Sequence, residues 1–475
     1  MLPALMNHRP NIVLILADDT GYGDPPCYNP ESLDPMPWVD RLAREGMRFT
    51  DAHSANALCS PSRYALLTGR YYWRTFKRHA LVMPYEGPVI EPDRPTLPGV
   101  LRQAGYATAC VGKWHLGFSY PSRVPGVEYT TDESEIDFTR ALSGGPLDHG
   151  FDYFYGTAGC STSDPPYCFI ENRHTVGIPD RPSPPEFESL PGFYPGVMAH
   201  DWDEERVDVR HVEKAIEFVD SHLRSSPDVP FFLYLAISAP HNPWLPPDFV
   251  RGTSREGPRG DMNALVDWCV GRVYEELAAR GILDDTLLIF TSDNGPMAGQ
   301  NGHRSAGDLR GQKNTAFEGG HRVPFVARWP AAIAPATTRD TTFSLIDLFA
   351  TLTGALDVAL PKGAAPDSDR LSGLFDTQVE RPQARDVLIA DTGGFSAGVG
   401  DFSLRSGAWK LVRLADSSDA LARRRQPVTD AVDGVLLFDL EEDPGERANR
   451  VREHPEIVRR LSELLSRATE GDRSG

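Results

Sequence analysis

The sequence predicts an α/β fold, with a mostly parallel central sheet flanked by helices and a smaller C-terminal α+β domain that carries an antiparallel sheet. Three observations support this prediction. Short continuous apolar runs, typical of strands buried on both faces, recur through about the first 300 residues. Helical patterns separate these runs, as expected for crossovers between parallel strands. After about residue 385 the pattern changes to a hairpin, a single strand and a terminal amphipathic helix.

Four apolar runs are predicted to form the central strands. They are Asn11–Ala17, Ala107–Val111, Phe231–Ile237 and Thr286–Thr291. Each run leads directly into a polar or ionisable cluster, and these clusters are residues 18–24, 112–117, 238–241 and 292–295. Ligands of open α/β sheets bind beyond the carboxyl ends of the strands. The four clusters are therefore expected to meet in one active site.

Helical periodicity predicts the layers that cover the sheet. The predicted helices are Trp38–Glu45, Leu97–Ala104, Asp208–Leu223 and Met262–Arg280. Residues 120–205 are rich in Pro, Gly and Tyr and show little periodicity, so we expect long loops that shape the substrate surface.

We assign two domains, because a chain of 475 residues is too long for one simple core. Residues 1–385, with the excursion 120–205, form the predicted catalytic domain. Residues 386–475 form the C-terminal domain, with a hairpin over 401–413, a strand over 434–440 and a helix over 456–468.

Composition excludes several classes of protein. The net charge of −19 is unlike a nucleic-acid-binding protein, and an anionic substrate needs a local positive pocket. Six cysteines without a C-x-x-C pair indicate neither a disulfide framework nor a cysteine zinc site. No apolar run is long enough to cross a bilayer, so no membrane partner is expected. No signal peptide is visible, which predicts a cytoplasmic location as written, or export if the true start lies upstream.

The segment Cys-Ser-Pro-Ser-Arg-Tyr-Ala-Leu-Leu-Thr-Gly-Arg at residues 59–70 resembles the signature of the formylglycine-dependent (type I) sulfatases, C-x-P-S-R followed by T-G-R. Residues 112–117, Gly-Lys-Trp-His-Leu-Gly, match a second segment of that family. The resemblance runs from Pro10 to about Pro330, with further matches at residues 404–410 and 437–446. It implies an alkaline-phosphatase-like fold and an arylsulfatase-like sulfuric ester hydrolase.

The resemblance also implies how residue 59 acts. In that family a maturation enzyme, a transient partner, oxidises the cysteine to formylglycine (3-oxoalanine). The hydrated aldehyde then attacks the sulfur of the ester, releases the alcohol, and is regenerated when sulfate leaves.

A metal site is implied at Asp18, Asp19, Asp293 and Asn294, together with residue 59. Oxygen ligands suit Ca²⁺, with Mg²⁺ as the alternative, and disfavour zinc. Taken alone, the adjacent aspartates could equally cap a helix or a turn. Asn294 favours the sulfatase branch, because related phosphodiesterases and phosphonate hydrolases tend to carry histidine at that position.

The remaining roles follow the demands of sulfate ester hydrolysis, which needs cations near the sulfate and an acid for the leaving oxygen. The resemblance assigns Arg63 to the nucleophile, Lys113 to the sulfate and His115 to the hydrated aldehyde. It places His241 and Lys313 beside the leaving-group oxygen, where one or both supply the proton.

The substrate is expected to be a small-molecule or saccharide sulfate ester, either a sulfated carbohydrate or an aryl sulfate. Lys113, His241 and Lys313 would bind its sulfate. The candidate rim residues are Trp73, Arg74, Arg78, His79, Asp164, Tyr167, Trp244 and His303, of which Arg74, Asp164 and His303 are the predicted substrate ligands.

Two other functions stay open at this point. The chain could be a phosphodiesterase or phosphonate monoester hydrolase of the same superfold. It could also be an inactive relative that only binds sulfated ligands, although the expected nucleophile and metal carboxylates are all present.

Overall fold

The computed structural model describes residues 9–392, 400–415 and 428–470, in which a ten-stranded sheet forms the centre of the molecule. Its strand order is 15-2-14-13-1-12-4-7-8-9, counted along the chain. The strands are β1 (Asn11–Ala17), β2 (Met47–Phe49), β3 (Ala52–His53), β4 (Ala107–Lys113), β5 (Tyr120–Pro121), β6 (Tyr129–Thr130), β7 (Tyr153–Thr157), β8 (Phe169–Glu171), β9 (His174–Val176), β10 (Arg181–Pro182), β11 (Val197–Met198), β12 (Phe231–Ala236), β13 (Thr286–Ser292), β14 (Phe325–Arg328), β15 (Thr337–Arg339), β16 (Phe343–Ser344), β17 (Leu388–Asp391), β18 (Phe402–Ser406), β19 (Trp409–Arg413) and β20 (Val435–Asp439).

The centre of the sheet is parallel, as predicted. β13, β1, β12 and β4 are the four predicted strands, and they lie side by side in one direction. On one side β14 pairs with β13 in antiparallel orientation, while β7 continues the parallel run on the other side. The polar clusters after the four predicted strands therefore lie along one edge.

Helices cover both faces of the sheet. The α-helices of the described residues are α1 (Pro37–Glu45), α2 (Cys59–Thr68), α3 (Leu97–Gln103), α4 (Val207–Ser225), α5 (Pro258–Ala279), α6 (Glu318–His321), α7 (Leu348–Ala355) and α8 (Pro455–Glu470). Residues Ile12, Leu14 and Leu16 of β1 pack with α2, α3 and α7, whereas Val13 and Ile15 pack with α1, α4 and α5. Side chains of a strand alternate between faces, so a run buried on both faces is apolar throughout.

The excursion 120–205 differs from the prediction in one respect. It contains long loops, but β7, β8 and β9 belong to the main sheet rather than lying over it. β7 pairs with β4 in parallel, and Lys113 is in register with Thr157. The sequence of β7, Tyr-Phe-Tyr-Gly-Thr, is short and interrupted by Gly156, and so it lacks the continuous apolar pattern of the other central strands.

The C-terminal residues form the predicted antiparallel sheet, with the order β17–β18–β19–β20, and α8 packs on it. The hairpin, the following strand and the terminal helix all agree with their predicted positions. β17 begins at Leu388, near the predicted boundary, while the division into two domains itself stays a prediction. Among the described residues, no helix is both long and apolar enough to span a bilayer.

This C-terminal sheet is joined to the rest of the described chain by apolar packing and by a buried ion network. Leu404 and Leu461 share a core with Ala65 of α2 and with Trp73, which follows α2. The Lys410 ammonium lies 2.9 Å from Glu318 Oε1 and 3.0 Å from Glu446 Oε1, and all three side chains are fully buried. Lys410 belongs to β19 and Glu318 to α6, so this buried ion pair links the two parts of the chain.

Close backbone contact between β4 and β7 depends on glycine. A Cβ atom on Gly156 would lie 1.8 Å from the carbonyl oxygen of Gly112, a distance at which the backbone must move. We expect Gly156→Ala to lower the free energy of unfolding by about 2 to 3 kcal/mol, because overpacking displaces neighbouring backbone. Denaturant titration measures this loss.

Gly87→Ala is the matched control, since a Cβ atom there meets nothing within 4 Å. Its stability should change by less than about 0.5 kcal/mol. Similar stability of both variants would show that the contact between β4 and β7 tolerates a methyl group.

Candidate active site

The carboxyl ends of the central strands bring the predicted site residues together. Asp18 and Asp19 follow β1, Lys113 ends β4, and Asp293 follows β13. Ligand atoms of Asp18, Cys59 and His241 lie within 4.8 Å of one another. The expectation that the polar clusters after the strands meet at one site is confirmed.

Residue 59 is the first residue of α2, so it lies at the positive end of a helix dipole. Pro61 is in the first turn, where a backbone N–H would have no partner within the helix. The N–H that proline lacks is therefore not needed there. The Ser62 hydroxyl donates to the carbonyl of Asn56 at 2.7 Å and fixes the preceding turn. Every residue of α2 is buried, so this part of the signature segment packs against other residues on all its faces.

Asp18, Asp19 and Asp293 form a buried group of carboxylates, with one oxygen of each within 4.8 Å of the others. Asn294 Nδ2 donates to Asp19 Oδ1 at 2.7 Å. Asp18 Oδ1 and Asn294 Oδ1 have no hydrogen-bond partner in the described part of the chain. Buried oxygens without a donor are costly. Together with the carboxylates they fit a hard divalent cation such as Ca²⁺ or Mg²⁺.

The pKa values within this group show its electrostatic strain. Burial and the charge of Asp18 raise the pKa of Asp293 to about 6, in spite of the neighbouring Arg63. Burial would also raise the pKa of Asp18, but Lys113, His241 and Arg63 outweigh it and lower that pKa. A bound cation would relieve the repulsion between the carboxylates.

Two lysines each meet one of these carboxylates. The Lys113 side chain is fully buried and its ammonium donates to Asp18 Oδ2. The Lys313 Nζ donates to Asp19 Oδ2 at 2.7 Å. Lys113 Nζ also lies 2.8 Å from the sulfur of Cys160, a residue that the sequence analysis did not select.

Arg63 of α2 reaches the ends of two central strands. Its Nε donates to Asp293 Oδ2 at 2.9 Å, and its Nη1 donates to the carbonyl of Lys113 at 3.0 Å. The side chain is fully buried. An arginine with this many fixed contacts holds its charge in one position beside residue 59.

Both predicted histidines have a fixed orientation. His115 Nε2 donates to the carbonyl of Val82 at 3.0 Å, and His241 Nδ1 donates to the carbonyl of Asn242 at 2.6 Å. The other nitrogen of each ring therefore faces the site, Nδ1 of His115 and Nε2 of His241.

The two histidines differ in their pKa values. Burial and the charge of Lys113 lower the pKa of His115, which keeps the ring neutral. Burial and Lys313 oppose the charged form of His241, but Asp18 and Asp19 outweigh them and raise its pKa. His241 is therefore the better proton donor of the pair.

Cys160 lies beside residue 59 and both predicted histidines. Its sulfur is 3.6 Å from His241 Nε2 and 4.0 Å from His115 Nδ1. A hydrogen bond with Cys160, burial and Asp18 together raise the pKa of Cys59. A thiol kept protonated is a weak nucleophile. Cys160 follows the carboxyl end of β7. The sequence analysis would have selected this cysteine only by recognising β7 as a central strand.

One side of the site opens toward solvent. Arg63 and Lys113 are fully buried, whereas His241 and Asp164 are only half-buried. Asp164 Oδ2 accepts a hydrogen bond from the backbone N–H of Cys160 at 2.9 Å and lies 3.9 Å from His115 Nε2. The structure thus brings Asp164 to the opening.

Two predicted substrate ligands do not line this opening, and that interpretation of Arg74 and His303 is wrong. The His303 side chain is 0% exposed and its Nε2 lies 2.9 Å from Asp24 Oδ1. Arg74 Nε donates to Asp367 Oδ2 at 2.9 Å, and its Nη2 donates to the carbonyl of Ala468 in α8. Both residues are fixed by buried ionic partners from distant parts of the chain.

Several weaker rim candidates are also structural. Tyr167 is fully buried, stacks on Phe193 and donates to the carbonyl of Tyr194 at 2.7 Å. His79 is buried beside Asp391, and Trp73 lies in the core shared with the C-terminal sheet. Arg78 is exposed and Trp244 is half-buried.

Known proteins resemble this chain over most of its length. The sulfatase family model matches residues 10–358. The N-acetylgalactosamine-6-O-sulfatase of Bacteroides thetaiotaomicron is 32% identical, over 97% of this chain and 93% of the relative. Arylsulfatase A of Bos taurus is 34% identical, over 94% of this chain and 85% of the relative.

Solved structures also resemble the chain over most of its length. One from a study of glycosaminoglycan metabolism by Bacteroides thetaiotaomicron has a TM-score of 0.84 and 31% identity, over 98% of this chain and 100% of that one. The phosphonate monoester hydrolase of Agrobacterium radiobacter, with a TM-score of 0.62 and 20% identity over 96% and 95% of the two chains, shares the fold. The chain belongs to the sulfatase family and is a sulfuric ester hydrolase.

Proposed function

We propose that this sulfatase hydrolyses a sulfate monoester of a saccharide, with residue 59 in the formylglycine form and Ca²⁺ or Mg²⁺ at the carboxylate group. One observation carries the proposal. Arg63, Lys113 and Lys313 all lie close enough to Cys59 to interact with it electrostatically, in a chain whose net charge is −19. With a divalent cation at the carboxylate group, the positive charge here would exceed the negative charge of Asp18, Asp19 and Asp293, which suits an anionic substrate.

Residue 59 is the proposed nucleophile after conversion by a formylglycine-generating maturation enzyme. The formylglycine would supply an oxygen nucleophile and would allow the sulfate to be released without attack of water on sulfur. Arg63 and the amino end of α2 stabilise negative charge at this position.

The metal ligands in this proposal are Asp18, Asp19, Asp293 and Asn294 together with residue 59. The bound cation would neutralise negative charge on the nucleophile and on the sulfate oxygens. The oxygens without a donor in this group, described above, support the assignment.

The other side chains divide between sulfate and leaving group. Lys113 binds a sulfate oxygen. His115, which is held neutral, accepts a proton from the hydrated formylglycine at residue 59. His241 and Lys313 are nearer the opening and supply the proton to the departing oxygen. An acid matters most when the leaving group is a basic alkoxide, as for a sugar hydroxyl.

For the substrate we propose an amino sugar that carries the sulfate on its 6-hydroxyl. Relatives named N-acetylgalactosamine-6-sulfatase occur in Bacteroides thetaiotaomicron and in Mus musculus, the latter 35% identical over 79% of this chain and 67% of the relative. Asp164 at the opening would accept hydrogen bonds from sugar hydroxyls or an amide. An aryl sulfate is the alternative class, since arylsulfatase A is similarly related.

Conversion of Cys59 is the first expected outcome. Peptide mass spectrometry of protein from a host with a maturation system should find formylglycine at position 59. Cys59→Ala should abolish turnover, and Cys59→Ser should at best form a sulfate ester that it does not release. Cys269→Ala, a change at a buried cysteine of α5, is the control. Full activity in protein that holds only unmodified cysteine at 59 would disprove the mechanism.

The second expected outcome concerns metal content. Elemental analysis should find one Ca²⁺ or Mg²⁺ for each chain, and Asp293→Asn should lose both metal and activity because a ligand charge is removed. Added Ca²⁺ should raise the unfolding midpoint of the metal-free wild-type protein, by mass action, but not that of Asp293→Asn. Asp248→Asn, whose carboxylate is 94% exposed, should behave as the wild type. An unchanged midpoint in the wild type would argue against this site.

The third expected outcome distinguishes residues that donate a proton to the leaving group from residues that only bind sulfate. His241→Ala and Lys313→Ala should lower kcat/KM for a sugar 6-sulfate by about a hundredfold or more, and for an activated aryl sulfate by much less. A phenolate leaves without needing a proton, which accounts for the difference. His200→Ala and Lys214→Ala are controls on side chains outside the site. Equal losses on both substrates would leave the two residues a binding role only.

A further inference from the structure

The opening of the site is bordered by residues 191–194, here called the rim segment. The carbonyl of its first residue accepts a hydrogen bond from Asn242 Nδ2 at 2.6 Å, and Asn242 directly follows His241. At the other end, the backbone N–H of Tyr194 donates at 2.9 Å to the carbonyl of the residue before Asp164. The rim segment is thus fixed to both loops that carry the half-buried residues of the opening, His241 and Asp164.

Buried aromatic side chains hold the rim segment in place. Tyr167 is fully buried, and its hydroxyl donates to the carbonyl of Tyr194 at 2.7 Å. The Tyr167 ring stacks on the buried ring of Phe193, with 5.2 Å between the ring centroids and an angle of 3° between their planes. These contacts fix the backbone that carries the Tyr194 side chain.

The Tyr194 side chain differs from these neighbours because it is open to solvent. Tyr194 is 38% exposed, whereas Phe193 is 9% exposed. Burial, followed by Asp164 and Cys160, raises the pKa of Tyr194, so its hydroxyl lies within electrostatic range of these two site residues. An aromatic ring in this position is available to the part of a substrate that stays outside the sulfate pocket.

We propose that the Tyr194 ring is the surface on which the sugar ring of the substrate stacks, while Asp164 accepts a hydrogen bond from one of its hydroxyls. This inference rests on the saccharide substrate proposed above. One face of a pyranose ring consists mainly of C–H groups, and tyrosine offers a large apolar face with a polar end. Tyrosine also loses little conformational entropy on binding, because it has only two side-chain torsions.

Stacking at this position affects binding rather than the chemical step. The proposed sulfate ligand Lys113 is fully buried, so the sugar ring at the opening is the part of the substrate that does not react. A contact with a part that does not react is equally strong in the bound substrate and in the transition state. Its loss raises KM and leaves kcat unchanged. Tyr194 therefore selects the substrate and does not belong to the catalytic groups.

The first test measures kinetics of the mature enzyme with an amino sugar 6-sulfate. Tyr194→Ala should raise KM about tenfold and change kcat by less than about twofold. Tyr194→Phe keeps the ring and should behave as the wild type. The inhibition constant of inorganic sulfate should be the same in all three proteins, because sulfate alone does not reach the ring. Tyr129→Ala, at a tyrosine of β6 that is 45% exposed, is the matched control.

Two results of this test would overturn the inference. One is an unchanged KM in Tyr194→Ala, and the other is an equal rise in the inhibition constant of sulfate, which would show a general disturbance of the site. A wild-type enzyme that hydrolyses aryl sulfates but no sugar 6-sulfate would refute the proposed substrate together with this inference. Normal hydrolysis of the sugar ester with an unchanged KM in Tyr194→Ala would refute the role of Tyr194 alone.

The second test is independent of turnover and uses calorimetry on Cys59→Ala protein in excess Ca²⁺. The sugar 6-sulfate is compared with methyl sulfate, an ester of the same charge without a sugar ring. We expect the sugar ester to bind about tenfold more tightly or better, and most of this difference to disappear in Cys59→Ala/Tyr194→Ala. The affinity for methyl sulfate should not change. Equal affinity for both esters in Cys59→Ala protein, or a difference that survives removal of Tyr194, would rule out the stacking.

Discussion

The pairing of buried cations with buried carboxylates around residue 59 is the constraint on which the rest of the site depends. Lys113 meets Asp18, Lys313 meets Asp19 and Arg63 meets Asp293, all at the ends of the central strands. Desolvation makes an isolated buried charge very unfavourable, and removal of one partner of a buried pair typically costs about 3 to 5 kcal/mol. The buried cations thus depend on the acidic residues that the sheet brings to the same edge.

Much of the fold could be predicted because its centre follows simple rules. A strand covered on both faces must be apolar throughout, and four such runs identified β1, β4, β12 and β13. The missed strands carry weaker signals. β7 is interrupted by a glycine that allows close contact with β4, and β14 has only four residues. Their place in the sheet is set by pairing with distant strands, which a local pattern does not show.

The site was predictable where residues follow buried strands and less so elsewhere. Asp18, Lys113 and Asp293 occupy positions that the topology fixes. Arg74 and His303 were misinterpreted because a polar residue near a motif can be drawn inward by a partner far along the chain, such as Asp367 or Asp24. Cys160 escaped notice because it follows β7, a strand that the local sequence pattern does not reveal.

The packing of the C-terminal sheet on α2 has a consequence for biosynthesis. Ala65 and the Tyr71–Trp73 segment lie in a core completed by Leu404, Leu437 and Leu461. A ribosome makes the amino end of the chain first, so the signature segment emerges long before the residues that cover it. Until those residues are made, the apolar side chains of α2 and of the segment that follows it lack part of their core. The signature segment therefore reaches its final packing only when the last strands and α8 are in place.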